Sequence, residues 1–449
     1  MTRKQRFALF ATILGSGIVF LDGAVVNLAL PKMGTDLHLG FAGLQWVVDG
    51  YALTLSALIL LGGSLGDILG RKRVYLWGVT GFAITSFLCG IAPTGALLIA
   101  LRMAQGIFGA LLVPGALALI NTNFTAEQRG RAIAQWTAWT AAISAIGPLV
   151  GGYLIDVGSW RWIFFINVPL LAICYWLGLG AIKESKDERV RRVDTTGAVL
   201  AMLGLGGITY GLIEAPVSQH RLWPLLALGA GIITFLAFVW FEHRNKDPMV
   251  DLSLFRSRNF TAANVATLAM YGALGGFFFA LIIHLQTVVG FSSLQSGISF
   301  LPVTLLLLAL SGRVGALCTR FGSRWFMTIG PILAGCGIFL LLPLTHGANY
   351  AINVLPGLLL FGLGLALTVT PLTTTVLGAV HQSASGIASA INNAVSRVAG
   401  LLVVALLGIF GASHAYRFSA LLCGTLAIIA GVLSFALVRN PKKSATIKQ

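Results

Sequence analysis

Charge is the scarcest commodity in this chain. Only 10% of its 449 residues are charged, where a soluble domain carries about 25%. Acids are rarer than bases, 14 Asp and Glu against 30 Lys and Arg, and none occurs after Asp251. The last 198 residues therefore offer no carboxylate for proton transfer or for holding a cation. The five cysteines (Cys89, Cys174, Cys318, Cys336, Cys423) lie in or at the ends of apolar segments, with no disulfide framework and no metal-ligand spacing. No G-x-x-x-x-G-K-[ST] loop is present, which disfavours an ATP-driven pump, and no D-D-x-x-D or H-x-x-x-H pattern suggests an intramembrane enzyme. Neither cofactor nor metal is expected.

Hydrophobic residues make up 57% of the chain and the mean hydropathy is +0.89. That excludes a soluble globular protein, a disordered chain and a small secreted scaffold. Fourteen apolar segments can be read, at roughly 7–30, 43–66, 74–93, 95–121, 131–155, 160–182, 196–214, 222–242, 260–289, 294–318, 323–345, 350–378, 383–410 and 416–438. A membrane-spanning helix needs about 20 apolar residues, and lipid requires helices because their backbones are satisfied internally. The first segment contains Asp22 and lacks a small-x-small cleavage site, so it reads as a retained helix rather than a leader. The expected fold class is an all-α polytopic membrane protein with fourteen spans.

The basic residues fix an orientation. With the N-terminus in the cytoplasm, 23 of the 30 fall in inside loops and four (Lys32, Arg161, Arg221, Arg417) outside. Arg102, Arg313 and Arg397 remain within spans. This follows the positive-inside rule, with both termini cytoplasmic in the plasma (inner) membrane. The net charge of +16 then belongs to the membrane surface and not to a nucleic-acid site.

The chain also repeats itself. Gly63-Ser-Leu65-Gly-Asp67-Ile-Leu-Gly70-Arg71-Lys72 follows span 2, and Gly315-Ala-Leu317-Cys-Thr319-Arg-Phe-Gly322-Ser-Arg324 follows span 10, 252 residues later. Transporters are often built from such repeats, with the substrate site between the halves. The offset predicts a six-helix bundle in 1–182, a charged linker and inserted helix pair in 183–259, and a second six-helix bundle in 260–449. The run Lys183–Thr195 reads as a charged surface linker.

The pattern G-x-L-x-D-x-x-G-R-K at Gly63–Lys72 resembles the loop motif of the major facilitator superfamily. Leu101-Arg102-Met-Ala-Gln105-Gly106-Ile-Phe-Gly109 resembles the family's fourth-helix motif, and Gly147-Pro148-Leu-Val-Gly151-Gly152 the fifth-helix motif of its antiporters. Further stretches resemble the fourteen-helix drug:proton antiporter branch: Leu21-Asp22 to Pro31, Trp46 to Tyr51, Trp160 to Pro169, Leu285-Gln286 with Gly290-Phe291-Ser292, and Asn392 to Arg397. Gly23-Ala24 departs from the branch, which usually has a small residue followed by Thr. The resemblance implies two six-helix bundles plus an inserted pair, and export of amphipathic small molecules against inward proton flow. A dedicated exporter of one metabolite or antibiotic, or a lipid flippase, would use the same fold. Protons, cargo and lipid are the expected partners, with the monomer as the working unit.

Ionisable groups inside spans are costly and mark function. Asp22, Asp49 and Arg102 fall at similar depth on the outer half and are the candidates for proton coupling. Asp49, nearer the outer mouth, is also a candidate for recognition of cationic cargo, the alternative being a solvated acid with no part in coupling. Gln286, Asn392 and Arg397 are the other substrate-site candidates, with Arg397 expected to meet a substrate anion, Asp22, Asp49 or backbone carbonyls. Glu214 and Asp156, near outer ends, are weaker coupling candidates. His284 reads as a packing residue and Arg313 as a cation that reaches back to the inner surface. Conformational gating is assigned to Gly63, Asp67, Gly70, Arg71, Gly147, Pro148, Gly151 and Gly152, with Asp67 expected to meet the N-terminus of span 13 when the inner gate is closed.

Overall fold

A computed structural model describes residues 1–186, 193–245, 248–381 and 384–440. Arg189, Arg191, Arg192, Lys246, Lys442, Lys443, Lys448 and the expected start of span 13 at Gln382-Ser383 lie outside the described residues. Among the described residues there is no strand, and fourteen helices are long and apolar enough to cross a membrane. We label them α1 (Arg3–Asp36), α2 (Phe41–Leu69), α3 (Arg71–Ile91), α4 (Gly95–Asn123), α5 (Glu127–Val157), α6 (Trp162–Ala181) and α7 (Thr195–Glu214). The rest are α8 (Leu222–Arg244), α9 (Arg258–Val289), α10 (Ser293–Phe321), α11 (Ser323–Leu340), α12 (Tyr350–Gly378), α13 (Ser385–Leu407) and α14 (Ala415–Leu437).

Most helices outrun the apolar segments read from the sequence. Polar residues near helix ends continue the backbone ladder beyond the hydrocarbon, as where Thr2 and Gln5 form a reciprocal capping box that starts α1. α11 is shorter than expected because the backbone leaves the helix after Leu340.

α1 packs on α4, α5 and α6, α2 on α4, and α3 on α4 and α6. α9 packs on α13 and α14, α11 on α12 and α14, and α10 on α12. α7 and α8 pack on each other, and α7 docks on both α2 and α13. Leu53 of α2, Leu205 of α7 and Leu401 of α13 form one buried cluster there. Both described chain ends lie on one face: Arg439 and Asn259, at the start of α9, exchange hydrogen bonds of 2.9 Å. This face also carries Arg3, Arg71, Lys183 and Arg324, and is called the basic face below.

The repeat is visible in the backbone. Between α2 and α3, Gly70 adopts φ 114°, and between α10 and α11, Gly322 adopts φ 82°. An L side chain rarely takes that conformation, which explains glycine at both turns. The helix that follows each turn has its first amides capped from a distance. The Glu184 carboxylate accepts from the Lys72 and Arg73 backbone N–H at 3.0 and 3.1 Å. The Asn440 side chain accepts from the Arg324 N–H at 3.1 Å. Part of the supposed surface linker is thus a helix cap. Losing a capping side chain typically costs about 0.5–2 kcal/mol. Glu184→Ala is expected to lower the thermal unfolding temperature of the purified protein, with Glu184→Gln intermediate. An unchanged midpoint would mean that water replaces the cap at no cost.

Candidate functional site: a mid-membrane cavity and a buried charge network

α2 meets α13, and α5 meets the first turns of α10, and these contacts join the two halves at the face opposite the basic one. The Gln45 amide donates to Val404 O and Ala405 O at 2.5 and 3.2 Å. The Gln286 amide donates to Leu28 O at 2.9 Å. The Asp156 carboxylate, at the end of α5, accepts from the Ser293 and Leu294 N–H at 3.1 and 2.8 Å, and Lys32 Nζ lies 3.4 Å away. A carboxylate at a helix N-terminus meets both unsatisfied donors and the positive end of the helix dipole. Gly152 lets α5 and α10 approach so closely: a Cβ there would sit 2.7 Å from Leu294 Cα and 2.8 Å from Ser293 O. Gly147 and Gly151 face Leu21 and Val25 of α1, and Pro148 O lies against Gly297.

Below this seal is a cavity of about 720 Å³ lined by α1, α2, α5, α9, α10, α12 and α13. Toward the basic face the halves part, and the lining residues Leu308 and Asn393 are exposed. The walls are mainly apolar and aromatic, with Phe20, Tyr271, Phe278 and Phe300 among them. Among the described residues two charged ones line it, Asp49 and Arg397.

Asp22 and Arg102 come together, but inside the first bundle rather than on the cavity wall. Arg102 Nη1 donates to Asp22 Oδ2 at 2.5 Å, with both side chains 1% exposed. The carboxylate also accepts from the Gln105 and Asn167 amides at 3.3 Å each. Arg102 donates to Gln105 Oε1 at 2.7 Å and to Val47 O at 3.3 Å, and its guanidinium stacks 4.2 Å over the Tyr51 ring. Asn167 is held in turn by Ser86 Oγ at 3.1 Å. Side chains from α4 and α6 therefore converge on the α1 acid, and α2 and α3 brace them from behind. Gln105 and Asn167 stood inside quoted motifs without a role in the sequence reading. An amide in an apolar span must find a partner, and that was the signal.

Several expectations need correction. For Asp49 the alternative of a solvated acid is excluded: it is fully buried, and neither carboxylate oxygen has a hydrogen-bond partner among the described residues. α13 closes over Gln45, one turn away, and α7 covers the flank of α2. Asn392 does not face the cavity. Its amide donates to Thr267 Oγ1 at 2.7 Å and Asn264 Oδ1 at 3.1 Å, pinning α13 to α9, while its neighbour Asn393 lines the cavity. Consecutive residues on a helix point about 100° apart, so the two asparagines face different surroundings and it is Asn393 that the cavity meets. Gln286 sits in the seal and not in the lining. Arg397 meets none of the acids proposed for it; its guanidinium lies 5.6 Å from the Phe20 ring centroid.

The weaker candidates are also placed. Glu214 accepts from the Trp46 indole at 2.8 Å. His284 stacks on Tyr416 at 3.7 Å, and Arg313 is exposed near the basic face. Asp67 pairs with Arg71, four residues on, at 2.7 Å. Gly63 lies at ordinary contact distance from Pro114.

A repeated bundle of spanning helices, sealed at one face over a mid-membrane cavity, has the architecture of a secondary transporter. A family model described as Major Facilitator Superfamily matches residues 12–404, and the chain belongs to that family. It is 35% identical over 410 residues to the multidrug resistance protein Stp of Mycobacterium tuberculosis, covering 91% of this chain and 76% of that one. It is 32% identical to the tetracenomycin C resistance and export protein of Streptomyces glaucescens, covering 90% and 76%. It is 33% identical to the methylenomycin A resistance protein of Bacillus subtilis, covering 89% and 86%. Among solved structures, the peptide transporter POT in complex with sulfate matches with a TM-score of 0.71 at 14% identity, covering 97% and 93%. The inward open conformation of the xylose transporter XylE from E. coli matches at 0.66 and 14%, covering 97% and 96%. These two show the fold. The chain is thus a multi-pass membrane protein of a transporter family, with the fourteen helices read from its sequence.

Proposed function

We propose that this protein is a proton-coupled antiporter that exports amphipathic small molecules by alternating access. The observation that carries this reading is the largely apolar mid-membrane cavity, sealed at one face and parted toward the other. By the positive-inside rule the basic face is cytoplasmic, so this state loads cargo from the cytoplasm. Both termini are then inside, in the plasma (inner) membrane. The chain moves its cargo unchanged, without catalysis or cofactor, and works as a monomer. Its parts are a first bundle in 1–182, a linker and inserted pair in 183–259, and a second bundle in 260–449. The relatives named for tetracenomycin C and methylenomycin A favour a second reading, a narrow range of cargo.

In this scheme Asp22 carries the coupled proton and Arg102 senses its charge. Asp49 is the second acid of the coupling machinery and the one beside the cargo. An unpaired buried carboxylate is expensive, so Asp49 either holds a proton or has to be met by a cation when cargo or helices move. Asp156, Gly152 and Pro148 close the outer gate in this state. Asp67, Gly70 and Arg71 belong to the inner one.

The test is transport in proteoliposomes with an imposed pH gradient and a panel of cationic, neutral and anionic aromatic compounds. Uphill accumulation that collapses with a protonophore is the expected result. Accumulation indifferent to the gradient would refute proton coupling, and movement of one compound alone would select the narrow reading.

A further inference from the structure

Among the described lining residues Arg397 is the one cation, and no lining group pairs with it. Arg397 projects from the middle of α13 and makes no hydrogen bond or ion pair among the described residues; its guanidinium lies over the Phe20 ring and within electrostatic reach of Tyr51. The second half has no carboxylate to give it, since the last acid in the sequence is Asp251. In the first half, Asp22 is engaged by Arg102, Gln105 and Asn167. Asp49, the other charged lining residue, keeps both oxygens buried and apart from any donor. Most of the neutral polar lining side chains are engaged within their own helices, but the Ser144 and Tyr271 hydroxyls have no hydrogen-bond partner among the described residues. The Asn27 amide donates to Gly23 O, the Asn393 amide to Ser389 O and the Ser396 hydroxyl to Asn393 O, each within its own helix. Among the described lining residues the guanidinium is therefore the one charged donor open to cargo, beside the neutral Ser144 and Tyr271 hydroxyls and in a wall of Phe and Tyr rings.

Resting on the export reading above, we propose that Arg397 is an anion-recognising residue and that the cargo class is the amphipathic organic acid, an aromatic or polycyclic body bearing a carboxylate or acidic phenolate. A planar guanidinium matches a carboxylate with two parallel N–H···O bonds. The low dielectric of the cavity strengthens that pairing relative to water. The position of Arg397 against Phe20, two residues from Asp22, puts cargo charge next to the charge network in α1. An acid bound there is felt by the coupling site without touching it.

The experiment uses three probes of one shape: 1-naphthaleneacetate, 1-naphthaleneacetamide and 1-naphthylethylammonium. Binding to the purified full-length protein is measured by calorimetry, and transport in the proteoliposomes described above. The acid is expected to bind at least about tenfold more tightly than the amide or the amine, the range of a charge-assisted hydrogen bond. Arg397→Gln should remove that preference and leave amide binding within about twofold, which also shows that the variant is folded. Arg397→Lys should keep part of the preference. An acid bound no better than the amide, or an amine bound best, overturns the proposal. So does an equal loss of all three probes in Arg397→Gln, which would make the arginine an internal partner of Asp49 rather than a cargo contact. If the protein moves neutral or cationic compounds but never the acid, the acid proposal fails and the export reading stands. If it moves nothing under any gradient, the export reading fails first.

Discussion

Asp22→Asn should abolish uphill, gradient-driven transport while leaving cargo exchange down its own gradient. The amide keeps the shape of the carboxylate and can still meet Gln105 and Asn167, but it removes the charge that neutralises Arg102. Removing one partner of a buried ion pair typically costs about 3–5 kcal/mol, because the other charge is left without compensation. Asn at this position mimics a protonated Asp22. Proton arrival therefore destabilises the state described here, in which both side chains are 1% exposed, and favours whichever state rehydrates Arg102. A purely structural pair would also lose stability on substitution, so stability alone does not decide. The decisive comparison is the double variant Asp22→Asn with Arg102→Gln. It should regain much of the thermal stability, because no lone charge remains, and still fail to accumulate cargo. If it accumulates cargo uphill as the parent does, the pair holds the bundle together and coupling resides elsewhere, with Asp49 next in line.

The second large effect concerns the balance between the two faces. Asp156→Asn should shift the population toward a state open at the face opposite the basic one. The native carboxylate accepts two backbone N–H groups at the start of α10 and lies 3.4 Å from Lys32. Contacts of a carboxylate with a partly buried helix N-terminus are worth up to about 2 kcal/mol. A loss of about 1–2 kcal/mol changes the ratio of the two states about 5–30-fold. Asp67→Asn should act in the opposite sense, if Asp67 leaves Arg71 for the N-terminus of α13 when the basic face closes. Spin-label distances between the ends of α5 and α10 on one face, and of α2 and α13 on the other, read both shifts. Two variants that move the distances in the same direction would show that these carboxylates do not work as opposed latches.

The course of the fourteen helices was readable because lipid imposes one rule on every span, a run of apolar residues of fixed length. The repeat was readable because two turns need glycine at the same register, Gly70 and Gly322. The encounter of Asp22 with Arg102 followed from the cost of isolated charge in a membrane. What escaped the sequence depends on which way a side chain points. Asn392 and Asn393 are chemically identical neighbours, and only the packing of α13 on α9 decides which one lines the cavity. Asp49 reads as an outer-end acid until α7 and α13 cover it. Glu184 reads as one charge among many in a linker, because its partners, the first amides of α3, lie over a hundred residues upstream.

The cluster of Leu53, Leu205 and Leu401 has a consequence for how the molecule meets its solvent. A rocking transporter has two lateral seams, one on each flank. Here the seam between α2 and α13 is backed by α7, with α8 behind it, whereas among the described residues no further helix backs the seam between α5 and α10. One flank is a hinge with a double wall and the other a single door. On the export reading proposed above, a compound dissolved in the leaflet at the basic face would have a shorter way in on the second flank, so the two sides of this nearly symmetric molecule would not be equivalent to anything arriving through lipid.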